Sequence, residues 1–157
     1  MYSDLIFKNY RCFPDSHPAR IQIRPGFTAF VGVNNSGKSS LLRFFFELRG
    51  LFALLSNGDN CVYALRGSPH AFVVGASIRD NTEIFSEKTD RNMELEFRFA
   101  NAAQSSPPLP GRVLIRVARN TNQFTMQISR GDGPLLPPHQ SAPRFEDLHS
   151  SLSTNRN

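Results

Sequence analysis

Gly32-Val33-Asn34-Asn35-Ser36-Gly37-Lys38-Ser39 fills every required position of the pattern G-x-x-x-x-G-K-[ST], and the rest of the chain is read outward from it. A chain of this length would contain such a match by accident roughly once in a few hundred. Its flanks sharpen the signal. Phe27-Thr28-Ala29-Phe30-Val31 follows a Pro25-Gly26 break and predicts a strand running into the loop, and the pattern turns helical at its end. Strand, glycine loop and helix in that order let consecutive backbone N–H groups converge on a phosphate. Gly32 and Gly37 permit conformations and close approaches that a Cβ would block. The helix start adds its partial positive charge. Lys38 supplies a full charge to the β- and γ-phosphates, and the Ser39 hydroxyl is suited to Mg2+ bridging them. The expected nucleotide contacts are Gly32, Asn34, Asn35, Ser36, Gly37, Lys38, Ser39 and Ser40, with ATP and Mg2+ as cofactors. A Gly/Ser turn that merely caps a helix accounts for neither the second glycine nor the strand in front.

The helix is predicted over residues 38–56. Ser40, Arg43, Glu47 and Gly50 fall on one stripe at steps of three or four, while Leu41, Leu42, Phe44, Phe45, Phe46, Leu48, Leu51 and Phe52 occupy the other faces. That distribution predicts burial against a sheet, with only the Arg43/Glu47 stripe in water. Asn57-Gly58-Asp59 reads as the stop. Upstream, 5–10 and 21–23 read as strands around Pro14, Asp15 and Pro18; downstream, 62–65 and 72–78 are strand-like. Met93-Glu94-Leu95-Glu96-Phe97-Arg98-Phe99 alternates without an error, which requires a strand with one wet face. Segments 113–118 and 124–128, joined by Asn120-Thr121-Asn122, complete an antiparallel meander over about 92–129. Residues 1–130 form the expected domain, and the Pro/Ser-rich 131–157 reads as a linker or weakly ordered tail.

Composition bounds the function classes. The 157 residues carry a formal charge of +5, and residues 131–157 contribute two arginines against three acids, so the excess of cations lies in the expected domain. Most cations are arginine, which suits bidentate contact to phosphate or carboxylate. Cys12 and Cys61 make no metal site and read as buried thiols. No apolar run reaches the length of a membrane span, and there is no leader-like start, so a cytoplasmic protein is expected. His17, His70, His139 and His149 are scattered, and Asp4, Glu47 and Glu83 form no acid pair; none is assigned a catalytic role.

Phe7-Lys8-Asn9-Tyr10-Arg11-Cys12-Phe13, placed ahead of Gly32 to Ser39 and followed by Ser40-Leu41-Leu42, resembles the amino-terminal half of ABC-like ATPase heads. These are the heads of RecF, of the structural-maintenance-of-chromosomes proteins and of the OLD nucleases with their antiphage-defence relatives. In that family an N-F-R-x-F-like element precedes a loop that commonly reads G-x-N-x-S-G-K-S; Tyr10 stands where phenylalanine is usual. The resemblance implies an α/β fold: lobe I of a P-loop NTPase, with a mixed sheet around the loop's helix plus the antiparallel meander. It also implies that Arg11 lies near the nucleotide, against the reading of Arg11 as a surface salt bridge, and that Arg66 stands for a basic residue after the first helix. As partners it implies a second ATPase head in a homo- or hetero-oligomer, and DNA or a nuclease effector, in DNA repair or antiviral defence.

The family's other motifs do not match. The nearest Walker B candidate, Ala76-Ser77-Ile78-Arg79-Asp80, is broken by Arg79; Ser129-Arg130-Gly131-Asp132-Gly133 is a poor signature; and Gln140 sits in a proline-rich setting. Little or no hydrolysis is expected of this chain alone, because phosphoryl transfer depends on positioned charge. Two other classes stay open. One is a small nucleotide or metabolite kinase. The other is a non-enzymatic module in which Arg98, Arg112, Arg116 and Arg119 form a basic face for nucleic acid or a protein.

Overall fold

The computed structural model describes residues 3–24, 26, 37–75, 78, 80–100, 110–129 and 133–137. Six strands form one sheet: β1 (Ser3–Lys8), β2 (Ala19–Ile23), β3 (His70–Ala71), β4 (Met93–Phe99), β5 (Arg112–Val117) and β6 (Gln123–Ile128). Their order across the sheet is β2-β1-β4-β5-β6-β3, and every neighbouring pair is antiparallel. Three short helices, α1 (Lys38–Glu47), α2 (Arg49–Leu55) and α3 (Gly58–Leu65), lie between β2 and β3 in the chain.

This corrects the expected mixed sheet around the loop's helix. A parallel neighbour needs a crossover between adjacent strands. The helical crossover here carries the chain from β2 on one edge to β3 on the opposite edge, so it joins no neighbours. β1 and β2, β4 and β5, and β5 and β6 are antiparallel neighbours consecutive in the chain, while β3 and β4 are consecutive but not neighbours. The strand expected at Phe27–Val31 lies outside the described residues.

Strict alternation builds the core. Reading across the sheet, Ala19, Phe7, Leu95, Ile115 and Met126 align on one face, as do Ile21, Leu5, Phe97, Val113 and Ile128. Most of these are buried, and the helices cover them, α3 packing on β6 and Phe44 of α1 stacking on Phe7 at 4.4 Å between ring centroids. Such burial of one large apolar side chain is worth about 2–3 kcal/mol. The opposite face is a lattice of ion pairs: Arg98 and Arg112 to Glu96 at 2.8 and 3.5 Å, Arg116 and Lys8 to Glu94 at 3.0 and 3.8 Å, and Arg20 to Asp4 at 2.5 Å. The meander therefore has the wet face that its alternation required.

The helical region departs from its pattern in three ways. It divides at Leu48, whose backbone leaves helical geometry (φ −93°, ψ 13°). The run ends at Leu55, as the stop at Asn57-Gly58-Asp59 predicted, but Asn57 also starts α3, its side chain accepting from the Asp59 N–H, so residues 62–65 are helix and not strand. Of the segment 72–78 expected as a strand, residues 72–75 and 78 are described and none is in a strand.

The third departure is rotational. Glu47, expected in water, is 2% exposed, whereas Leu42, Phe45 and Phe46 are 62%, 42% and 54% exposed. The helix is turned so that Phe44, Glu47, Leu48 and Leu51 face the protein.

Candidate functional site

The site grows from the end of β1. Asn9 and Arg11 adopt left-handed backbone conformations (φ 59° and 45°), which wind the chain into a tight turn closed by Phe13 N–H donating to the Tyr10 carbonyl at 2.8 Å. Such conformations are strained for residues with a Cβ and persist where the surroundings hold them. Here the Arg11 N–H donates to the Ile84 carbonyl at 3.0 Å and the Ser86 N–H to the Asn9 carbonyl at 2.9 Å. The Asn9 amide donates to Asp15 at 2.7 Å and to the Asn92 carbonyl at 2.9 Å.

Held in this way, residues 10–13 lie along one stripe of α1. At its far end Glu47 accepts from the Tyr10 hydroxyl at 2.7 Å and, bidentately, from Arg11 Nε at 3.0 Å and Nη2 at 2.6 Å. Two turns nearer the N-terminus, Cys12 Sγ donates to Ser40 Oγ at 3.5 Å. At the start of the helix the Phe13 ring and Cys12 pack against Gly37 so closely that a Cβ there would lie 2.5 Å from Phe13 Cζ and 3.2 Å from Cys12 Sγ. The amino-terminal element is thus a brace running the length of α1.

Burial and Glu47 together raise the Tyr10 hydroxyl pKa, burial being the larger cause, so Tyr10 remains a proton donor. The hydrogen bond to Glu47 raises Arg11 further above its ordinary value. The guanidinium keeps its charge.

Gly37 stands just before Lys38 in the left-handed region (φ 85°, ψ 6°). The first helical turn has no acidic residue and no side-chain cap. α3 and the 3-10 turn Asn81–Ile84, by contrast, are capped by Asn57 and Asp80. An uncapped helix start leaves amides that an anion can satisfy. Beside it opens a cavity of about 350 Å3 lined by Arg11, Cys12, Ser40, Glu83, Phe85, Glu87 and Lys88.

Of the residues expected to hold nucleotide, Gly37, Lys38, Ser39 and Ser40 occupy this helix start, with Ser39 exposed and Lys38 and Ser40 half-buried. Gly32, Asn34, Asn35 and Ser36 lie outside the described residues. Arg11 reaches the same region through the cavity that it shares with Ser40, yet it is also salt-bridged to Glu47. The salt-bridge reading of Arg11 is thus the one observed, with a buried partner and not a surface one. Arg66 caps the C-terminus of α3.

Of the Walker B candidate, residues 76, 77 and 79 lie outside the described residues, and the Asp80 carboxylate accepts from the Thr82 N–H, which lowers its pKa. Among the described residues no group of three or more His, Cys, Asp or Glu is gathered to hold a metal, and no helix is long and apolar enough to cross a membrane. The expected basic face is not built as expected. Arg98, Arg112 and Arg116 share a sheet face but are interleaved with Glu94 and Glu96, while Arg119 turns away to donate to the Ser86 and Thr89 carbonyls. Cys12 is exposed and not buried; Cys61 is buried.

Glu47 and the Tyr10 hydroxyl are the participants that the sequence reading passed over. The i, i+3, i+7 spacing of Ser40, Arg43 and Glu47 did mark their stripe. What it could not supply was the direction in which that stripe points.

No protein-family model matches the chain, and no curated protein matches it significantly.

Proposed function

We propose that this chain binds the triphosphate of ATP, with Mg2+, at the N-terminus of α1, as the nucleotide-binding part of an ATPase. The observation that carries the reading is the coincidence of a complete G-x-x-x-x-G-K-[ST] pattern with a helix that begins at Lys38, directly after a left-handed Gly37 and without a side-chain cap. The residues present fit the ligand. The first-turn amides and the half-buried Lys38 suit phosphate oxygens, and the exposed Ser39 hydroxyl suits a Mg2+ whose other ligands are phosphate and water. Mg2+ usually keeps several waters, so one protein oxygen is an ordinary contribution.

The proposal does not rest on a parallel sheet. An anion site of this kind needs a turn and a helix start, and the brace formed by Tyr10, Arg11, Cys12 and Phe13 holds that start against the antiparallel sheet through Phe7 and Phe44. Resemblance alone carries the wider setting: association with a second head, and coupling to a DNA-directed or defence activity. Isothermal titration calorimetry with Mg-ATP tests the core of the reading. Lys38→Ala should lower affinity about 10- to 100-fold, the worth of one charge-assisted contact. Unchanged affinity refutes it.

A further inference from the structure

Glu47 is a carboxylate in a place where carboxylates are seldom found, 2% exposed on the inward face of α1 beside the buried Phe44. Three hydrogen bonds compensate it, two of them from Arg11. The use of Arg11 is lopsided. Nε and Nη2 are both committed to Glu47, whereas Nη1 makes no hydrogen bond among the described residues, and the side chain lines the cavity shared with Ser40. A guanidinium has two donor edges in one rigid plane. Fixing one edge on a carboxylate fixes where the other edge lies.

Resting on the phosphate-binding reading above, we infer that Glu47 is a positioning residue for the nucleotide. It clamps one edge of Arg11 so that the remaining Nη1 donor is held ready for a phosphate oxygen in the cavity beside Ser40. Tyr10 fixes the carboxylate in turn, its hydroxyl donating at 2.7 Å and its raised pKa keeping the proton in place. Pre-orientation of this kind matters because a free arginine would lose rotamer freedom on binding, and that loss would subtract from affinity. The lining sets Arg11 and Lys88 against Glu83 and Glu87, and Glu47 offsets the arginine's charge further, so a phosphate here depends on a directed bond and not on net charge.

The test is calorimetric titration of Mg-ATP into the wild type, Glu47→Gln, Arg11→Ala, the Glu47→Gln/Arg11→Ala double variant and Lys38→Ala, with folding checked by circular dichroism. Glu47→Gln should weaken ATP about 10-fold, and it should add nothing to Arg11→Ala, because the carboxylate acts through the arginine. The ratio of ATP to AMP affinity should fall as well, a selectivity that general loosening of the fold would leave alone. Should Glu47→Gln fold poorly, Arg11→Lys serves. It keeps the charge and one bond to Glu47 but has no second edge, so it should match Arg11→Ala. Wild-type affinity in Glu47→Gln or Arg11→Lys, or an additive double variant, overturns the proposal while a loss in Lys38→Ala leaves the phosphate site standing. Unchanged affinity in Lys38→Ala removes the site and this proposal with it.

Discussion

Gly37→Ala puts the brace on α1 to a quantitative trial. Two penalties arise from separate geometric facts. A φ of 85° is left-handed, and a Cβ there costs about 1–2 kcal/mol. The new methyl would also sit 2.5 Å from Phe13 Cζ and 3.0 Å from Cε1, where carbon contacts settle near ~3.5 Å, so the ring must retreat by roughly 1 Å. Phe13 packs edge-on against Phe7 at 5.5 Å and 87°, an arrangement worth about 0.5–1.5 kcal/mol beyond its burial. The expected loss is therefore about 2–3 kcal/mol. Gly26 supplies the control: its φ is 106° and nothing lies within 4 Å of an added Cβ, so Gly26→Ala should lose only the backbone share, about 1–2 kcal/mol. Urea denaturation followed by circular dichroism measures both. With a slope of about 1–3 kcal/mol/M, Gly37→Ala should move the midpoint down by about 1–2 M, clearly more than Gly26→Ala. Equal shifts would mean that Phe13 does not rest on Gly37, and the description of the brace would be wrong.

The other predictions draw on burial, titration and access. Phe44→Ala, which empties the stack on Phe7, should cost about 3–5 kcal/mol, while Leu42→Ser on the exposed face of the same helix should change stability by less than about 0.5 kcal/mol; a reversed order in denaturant midpoints would refute the rotation assigned to α1. Because the Tyr10 pKa is raised in the folded state, its contribution is fully present below the unfolded tyrosine value near ~10 and is lost as pH rises above it, by up to about 1.4 kcal/mol per pH unit. Stability measured from pH 8 to 11 should fall less steeply in Tyr10→Phe than in the wild type, and parallel curves would contradict the buried hydroxyl. A thiol reagent should label exposed Cys12 ahead of Cys61, whose burial raises its pKa, and Mg-ATP should slow labelling of Cys12 by occupying the adjoining space; labelling that ignores nucleotide would count against the placement of the site.

Local chemistry was written plainly in the chain. The charged-apolar alternation of residues 93–99 announced a sheet with one wet face, and the helix beginning near Lys38 followed from its periodicity, while the pattern from Gly32 to Ser39 is what the phosphate-binding proposal rests on. These features depend on near neighbours, whose spacing sets which groups can converge or share a face. Other outcomes depended on partners far away in the chain. Residues 38–55 are apolar on so many sides that several rotations of the helix were compatible with the sequence; the one adopted was chosen by Phe7, Tyr10 and Arg11, which stack on Phe44 and bind Glu47. The direction of the strands was likewise settled by where the helical crossover delivers the chain, at the far edge of the sheet and not beside β2. A short apolar run such as Val62 to Leu65 suits strand or helix equally until a cap such as Asn57 commits it. Sequence fixes the chemistry of each surface; which surfaces meet is an energy summed over the whole fold, and that sum alone turned a glutamate expected in water into the buried anchor of Arg11.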